Sequence, residues 1–134
     1  MKSRPVLTLD DEKKIAAAAE AEALKNNWAV TISIVDDGGH LLWLQRLDGA
    51  APVSAWIGPQ KAITAAIGRR ESAIYEKMVN EGRVSFLSVA PVTPLEGGVP
   101  IIVEGQYVGA VGVSGVKSSE DVQIAKAGIA ALVL

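Results

Sequence analysis

The stretch WAVTISIVDDGGHLLWLQRLDG, residues 28–49, restricts the fold more than any other part of the chain. Residues 28–36 are rich in β-branched side chains and read as a strand. Asp37-Gly38-Gly39 supplies a turn, because glycine tolerates a positive φ. Residues 40–47 then return as a second strand. A two-residue loop puts Ile32, Ile34, Leu41 and Trp43 on one face. Thr31, Ser33, Val35, His40, Leu42, Leu44 and Arg46 fall on the other. Both faces carry large apolar residues, whereas a sheet with one wet side alternates more cleanly. The second face is therefore expected to be covered by a helix, a ligand or another subunit.

The flanking sequence supplies helices. Residues 9–26 form an Ala-rich one, with Thr8 as its cap and Asp11 and Glu12 at the positive end of the helix dipole. Ile15, Ala16, Ala19 and Ala23 share a face, and such short side chains allow a close approach. Residues 54–67 are helical with a break or kink expected near Pro59. Gly68-Arg69-Arg70 interrupts, and residues 71–80 form a further helix. Residues 84–89 read as a short strand, and Pro and Gly keep 91–100 irregular. Residues 101–103 and 107–113 form a second hairpin. Ser118 opens the last helix, facing Asp121 in capping-box-like spacing. That helix has two apolar stripes, Val122/Ala125/Ile129/Leu132 and Ile124/Gly128/Ala131, so it is expected to be sandwiched. The order α-ββ-αα-β-ββ-α points to one α+β domain over residues 1–134, an antiparallel sheet packed with helices.

Composition removes several classes of function. The net charge is −2 and no basic run or stripe occurs, so nucleic acid is not an expected partner. The absence of cysteine excludes disulfides, thiolate catalysis, Cys-ligated zinc and iron–sulfur clusters. The first residues lack the apolar core of a signal peptide, and no apolar run approaches the roughly 18 residues of a membrane span. The expectation is a soluble cytoplasmic protein.

Five segments in order carry a resemblance: VDDGGHLLWLQRLDGA; Ser54 followed by Lys61-Ala62 and Thr64-Ala65; GGVP; VGAVGVSG; and an Asp before an Ala-rich helix. Together they resemble the GlcG/HbpS-like family, also called the haem-degrading or DUF336 family. The resemblance implies a profilin-like fold, a five-stranded antiparallel sheet between helices, and assembly into homo-oligomers. It also implies haem binding, or a place in corrinoid or small-molecule catabolism. One segment departs from the family pattern: Val116-Lys117-Ser118-Ser119 follows Ser114-Gly115 where Gly-Thr and a Pro/Glu/Gln-rich approach are usual.

His40 is the single histidine, and neutral imidazole is the commonest protein ligand of haem iron. The plain alternative is a polar residue at a turn tip. Asp36, Asp37, His40 and Asp48 are also the donor types of a hard-metal site, although Asp before Gly-Gly is first of all turn chemistry. Arg46 and Asp48 flank a strand end, and Lys61 and Thr64 lie one helical turn apart. Arg46 and Lys61 together suit a carboxylate or a haem propionate; the alternative is an internal salt bridge. Gly97 and Gly98 offer bare main chain to an anion or a flat ligand. Gly109, Gly112 and Gly115 do not match a dinucleotide fingerprint, and strand glycines more often mark close helix packing or the approach of a ligand. Asp121 is expected to be a helix cap. The first reading is a homo-oligomeric haem or tetrapyrrole binder, with haem degradation as its extension. The second is an accessory enzyme or binding protein for a small carboxylic acid, held by Arg46, Asp48, Lys61 and the Gly97-Gly98 loop.

Overall fold

The computed structural model describes residues 1–132. Its elements are α1 (Leu9–Lys25), β1 (Thr31–Asp36), β2 (Leu41–Arg46), α2 (Ser54–Gly68), α3 (Ser72–Asn80), β3 (Gly98–Val103), β4 (Gln106–Ser114) and α4 (Ser118–Ile129). The sheet is antiparallel in the order β2-β1-β4-β3. The α+β class therefore stands, but the described residues contain four strands where five were expected.

The expected strand at 84–89 is a 3-10 turn over Val84–Ser88. Its backbone folds back on α3 at once, with Arg83 N–H bonded to Met78 O at 2.9 Å. The Phe86 ring then packs on Tyr75 of α3, with centroids 5.4 Å apart. That local aromatic contact keeps the segment on α3 and away from the sheet.

Thr8 caps α1 as anticipated, in a reciprocal box with Asp11. One sheet face packs Ile32, Ile34, Val99, Ile101, Val111 and Val113 against Ile15, Ala16 and Ala19 of α1 and Ile124 and Ala125 of α4. Gly128 of α4 lets the two helices touch, since a Cβ there would lie 2.9 Å from Ile15 O. The opposite face packs Val35 and Ala110 against Ala62, Ala65 and Ala66 of α2. Polar groups on that face are paired: Thr31 Oγ1 meets Ser54 Oγ at 2.7 Å, and Ser33 Oγ donates to Gly112 O at 2.8 Å. Of the break or kink expected at Pro59, the break does not occur: α2 continues through it as one helix.

β1 is thus screened on both sides, as its two apolar faces required. β2, at the sheet edge, is not. The register shifts between Ile34 and Val35, so Leu41 pairs with Val35 instead of joining the Ile32–Ile34 row. Leu41 is 55% exposed and Leu44 45%.

α4 does not use a Ser118–Asp121 box. Its first residues are closed by Lys117 N–H donating to Glu120 Oε1 at 3.2 Å, and Asp121 turns inward. Among the described residues no helix is long and apolar enough to cross a membrane.

Candidate functional site

The β1–β2 turn is organised by Asp36. Its Oδ1 accepts from the Gly38 N–H at 3.0 Å and the His40 N–H at 2.9 Å. The same carboxylate meets His40 Nδ1 at 3.0 and 3.2 Å. Partial burial works to raise the Asp36 carboxyl, but the His40 and Gly38 N–H groups and the His40 ring outweigh it and hold it below its ordinary range. The His40 ring lies over Gly38, where a Cβ would sit 3.0 Å from His40 Cε1 and the exposed ring would have to shift slightly. With Nδ1 against a carboxylate, the accepting nitrogen is Nε2. The His40 side chain is 81% exposed, so Nε2 is accessible. Beneath the turn, Gly39 packs on Ile63 and Ile67 of α2.

Asp37 points elsewhere. Its Oδ2 binds Arg4 Nη1 at 2.7 Å and Arg69 Nη2 at 3.5 Å. The combination of Asp36, Asp37, His40 and Asp48 is therefore not a metal centre. Among the described residues no three His, Cys, Asp or Glu side chains converge as one.

The second predicted group is dispersed. Arg46 Nε donates to Ala50 O at 3.2 Å and closes its own loop. Asp48 borders a shallow recess of about 380 Å³ with Glu20, Trp28 and Leu47. Lys61 does not stand at a pocket mouth. Its side chain is 5% exposed, and Nζ donates to Val113 O and Asp121 Oδ2, each at 3.0 Å. Thr64 Oγ1 donates to Gln60 O and accepts from the Thr93 N–H, each at 2.8 Å, so it anchors the loop before β3. The expected grip of Arg46 and Lys61 on one anion is thus corrected.

Gly97 and Gly98 serve packing. A Cβ on Gly97 would lie 2.7 Å from Lys61 Nζ, and one on Gly98 would collide with the Lys61 carbonyl. The Gly98 N–H is already donated to Ser72 Oγ at 2.8 Å. Asp121, read as a cap, is the partner of Lys61, and its Oδ1 accepts from the Val116 N–H at 3.2 Å. Burial pushes its carboxyl up against the opposing pull of the Lys61 ammonium and the Val116 N–H. The sequence offered only the small Ser, Gly, Ala and Thr residues that surround Lys61 in α2; its partner, 60 residues away, is given by the fold.

A family model described as haem degrading protein HbpS-like matches residues 7–130. The chain belongs to the HbpS-like family. Among relatives of this HbpS-like chain, Protein GlcG of Escherichia coli (strain K12) is 54% identical over 114 residues, 85% of each chain. The crystal structure of a double mutant of Streptomyces reticuli HbpS superposes with a TM-score of 0.91 at 30% identity, covering 100% of this chain and 92% of that one. A crystal structure of a PduOC–haem complex gives a TM-score of 0.88 at 27% identity, covering 96% of both chains. The resemblance drawn from the five segments is thus family membership.

Proposed function

We propose that this HbpS-like chain binds haem, and that His40, presented by the β1–β2 turn, would hold its iron. The observation that carries the reading is the Asp36–His40 pair: a carboxylate holds Nδ1 and the exposed ring offers Nε2. Metal-binding histidines are oriented in this way, the partner on the far nitrogen fixing tautomer and ring direction. The HbpS-like family description and the PduOC–haem neighbour support the same ligand. The donor set fits haem iron, and Leu41 and Ile67 put apolar surface beside the turn for the macrocycle. Bound haem supplies an iron centre capable of dioxygen chemistry, which is the basis for haem degradation as an extension. This chain's own part is to orient the imidazole through Asp36 and to keep the turn tight, with Asp36 N–H bonded to His40 O at 2.9 Å.

Self-assembly belongs to the same proposal. Leu44 faces the α2 side from the sheet edge, and Val53 and Trp56 at the start of α2 are exposed as well, Trp56 by 74%. A second copy laid on this face would complete the covering that the apolar pattern of β2 calls for. The reading as a holder of a small carboxylic acid through Arg46, Asp48 and Lys61 loses support, because Lys61 is bonded to Asp121.

Haemin titration tests the ligand. The wild-type chain is expected to develop a Soret band, which His40→Ala shifts and weakens. An identical spectrum and affinity in His40→Ala would remove His40 from the iron, and no band at all in the wild type would remove haem.

A further inference from the structure

Lys2, Arg4, Arg69, Gln106 and Tyr107 line an open recess of about 480 Å³ beside the β1–β2 turn. Among the described residues, its lining holds three cationic side chains and no carboxylate. Asp37 is the acid bonded to them, through Arg4 at 2.7 Å and Arg69 at 3.5 Å. One carboxylate against three cations leaves a surplus of positive charge at the recess.

The two arginines are held in place before any ligand arrives. Arg69 Nη1 donates to Asp37 O at 2.6 Å and to Ala66 O at 2.9 Å. Its guanidinium stands 5.8 Å from the centroid of the Tyr107 ring. The N-terminal arm that carries Lys2 and Arg4 is tied down by Gln106 Nε2 donating to Ser3 O at 3.0 Å. Arg69 itself has φ 54 and ψ 39, the left-handed conformation at a helix end that glycine fills at least strain. Arginine forks supply more N–H donors than one carboxylate takes, and they suit planar or tetrahedral oxyanions.

We propose that this recess binds a compact dianionic group, a phosphate or a small dicarboxylate, between Arg4, Arg69 and Lys2. The site shares no residue with His40 and stands independently of haem.

Isothermal titration of the haem-free full chain, with inorganic phosphate and separately with malonate at constant ionic strength, tests it. Saturable binding of either anion is expected, and which one binds names the class. Lys2→Gln leaves the Arg4–Asp37–Arg69 contacts intact and is expected to weaken binding about fivefold. Arg69→Gln is expected to weaken it about tenfold or more. His40→Ala is expected to bind as the wild type does, which separates this site from the haem reading. Absence of saturable binding by both anions, or unchanged affinity in Lys2→Gln, would overturn the proposal and leave the arginines as a clip for the N-terminal arm.

Discussion

Lys61 Nζ lies 3.0 Å from Asp121 Oδ2 and so ties α2, on one face of the sheet, to α4, on the other. The connection passes the end of the sheet where Gly97 has no Cβ to block it, and Val113 O takes a second Lys61 proton. The two side chains are only 5% and 2% exposed, so water does not replace a lost partner.

Breaking this pair from one side is therefore expected to be severe. Asp121→Ala leaves a buried ammonium with Val113 O alone, and urea unfolding should show a loss of about 3–5 kcal/mol. Lys61→Met combined with Asp121→Leu removes both charges and should recover a large part of that loss. A double variant as unstable as the single one would show that the hydrogen bonds to Val113 and Val116, more than the charges, hold this end together.

Gly112 gives a second stability prediction. A Cβ there would collide with Gly58 O and Ala62 N of α2. Gly112→Ala must push the helix off β4, at about 1–3 kcal/mol, by the ordinary penalty of overpacking. Thermal unfolding by circular dichroism measures it. Gly105→Ala, where a Cβ meets nothing within 4 Å but φ is +74, isolates the separate effect of left-handed backbone.

At the start of α1, Thr8 Oγ1 accepts the Asp11 N–H at 3.2 Å while Asp11 Oδ2 accepts the Thr8 N–H at 2.9 Å. Thr8→Ala is expected to cost about 1 kcal/mol in chemical denaturation. The Thr8 N–H, and the Thr8 hydroxyl donating to Asp11 Oδ2 at 2.9 Å, hold the Asp11 carboxyl below its ordinary value.

That cap was legible in the sequence because it is local: the short run from Thr8 to Asp11 contains all its chemistry. The helices and the first hairpin were legible for the same reason. The assignment of 84–89 failed because its apolar residues suit a short strand as well as a turn, and only the spatial contact of Phe86 with Tyr75 decides against it. The two-sided burial of β1 could be read from its composition, but the register shift that exposes Leu41 depends on the turn geometry. Of the candidate site residues, His40 kept an accessible side chain, while Lys61, Thr64 and Gly98 were already bonded within the fold. Their partners Asp121, Thr93 and Ser72 are 60, 29 and 26 residues away, separations that spacing along the chain does not reveal.

The exposed face at β2 and the start of α2 yields a prediction on assembly. If copies of the chain assemble through this face as proposed, the wild type elutes as an oligomer in gel filtration and Trp56→Glu shifts it toward monomer, since a carboxylate would have to be buried without a partner. A monomeric wild type, or elution unchanged in Trp56→Glu, would remove this face as a contact between copies.

The turn makes a pH-dependent prediction whose sign follows from Asp36. Its carboxyl is held below the ordinary value of 3.8, by bonds that exist only in the folded chain. The stabilisation is therefore complete above about pH 3.8 and is lost as pH falls through the lower, folded value. Asp36→Asn lacks the charge at every pH. The wild type should be more stable than Asp36→Asn near neutrality, and the two should converge in acid below pH 3.8, as read by urea midpoints across the range. The same variant should leave the His40 ring less restrained, visible as a change in its NMR line shapes and as weaker haemin binding at neutral pH. A stability difference that stays constant into strong acid would mean that the ionised carboxylate is not what holds the turn.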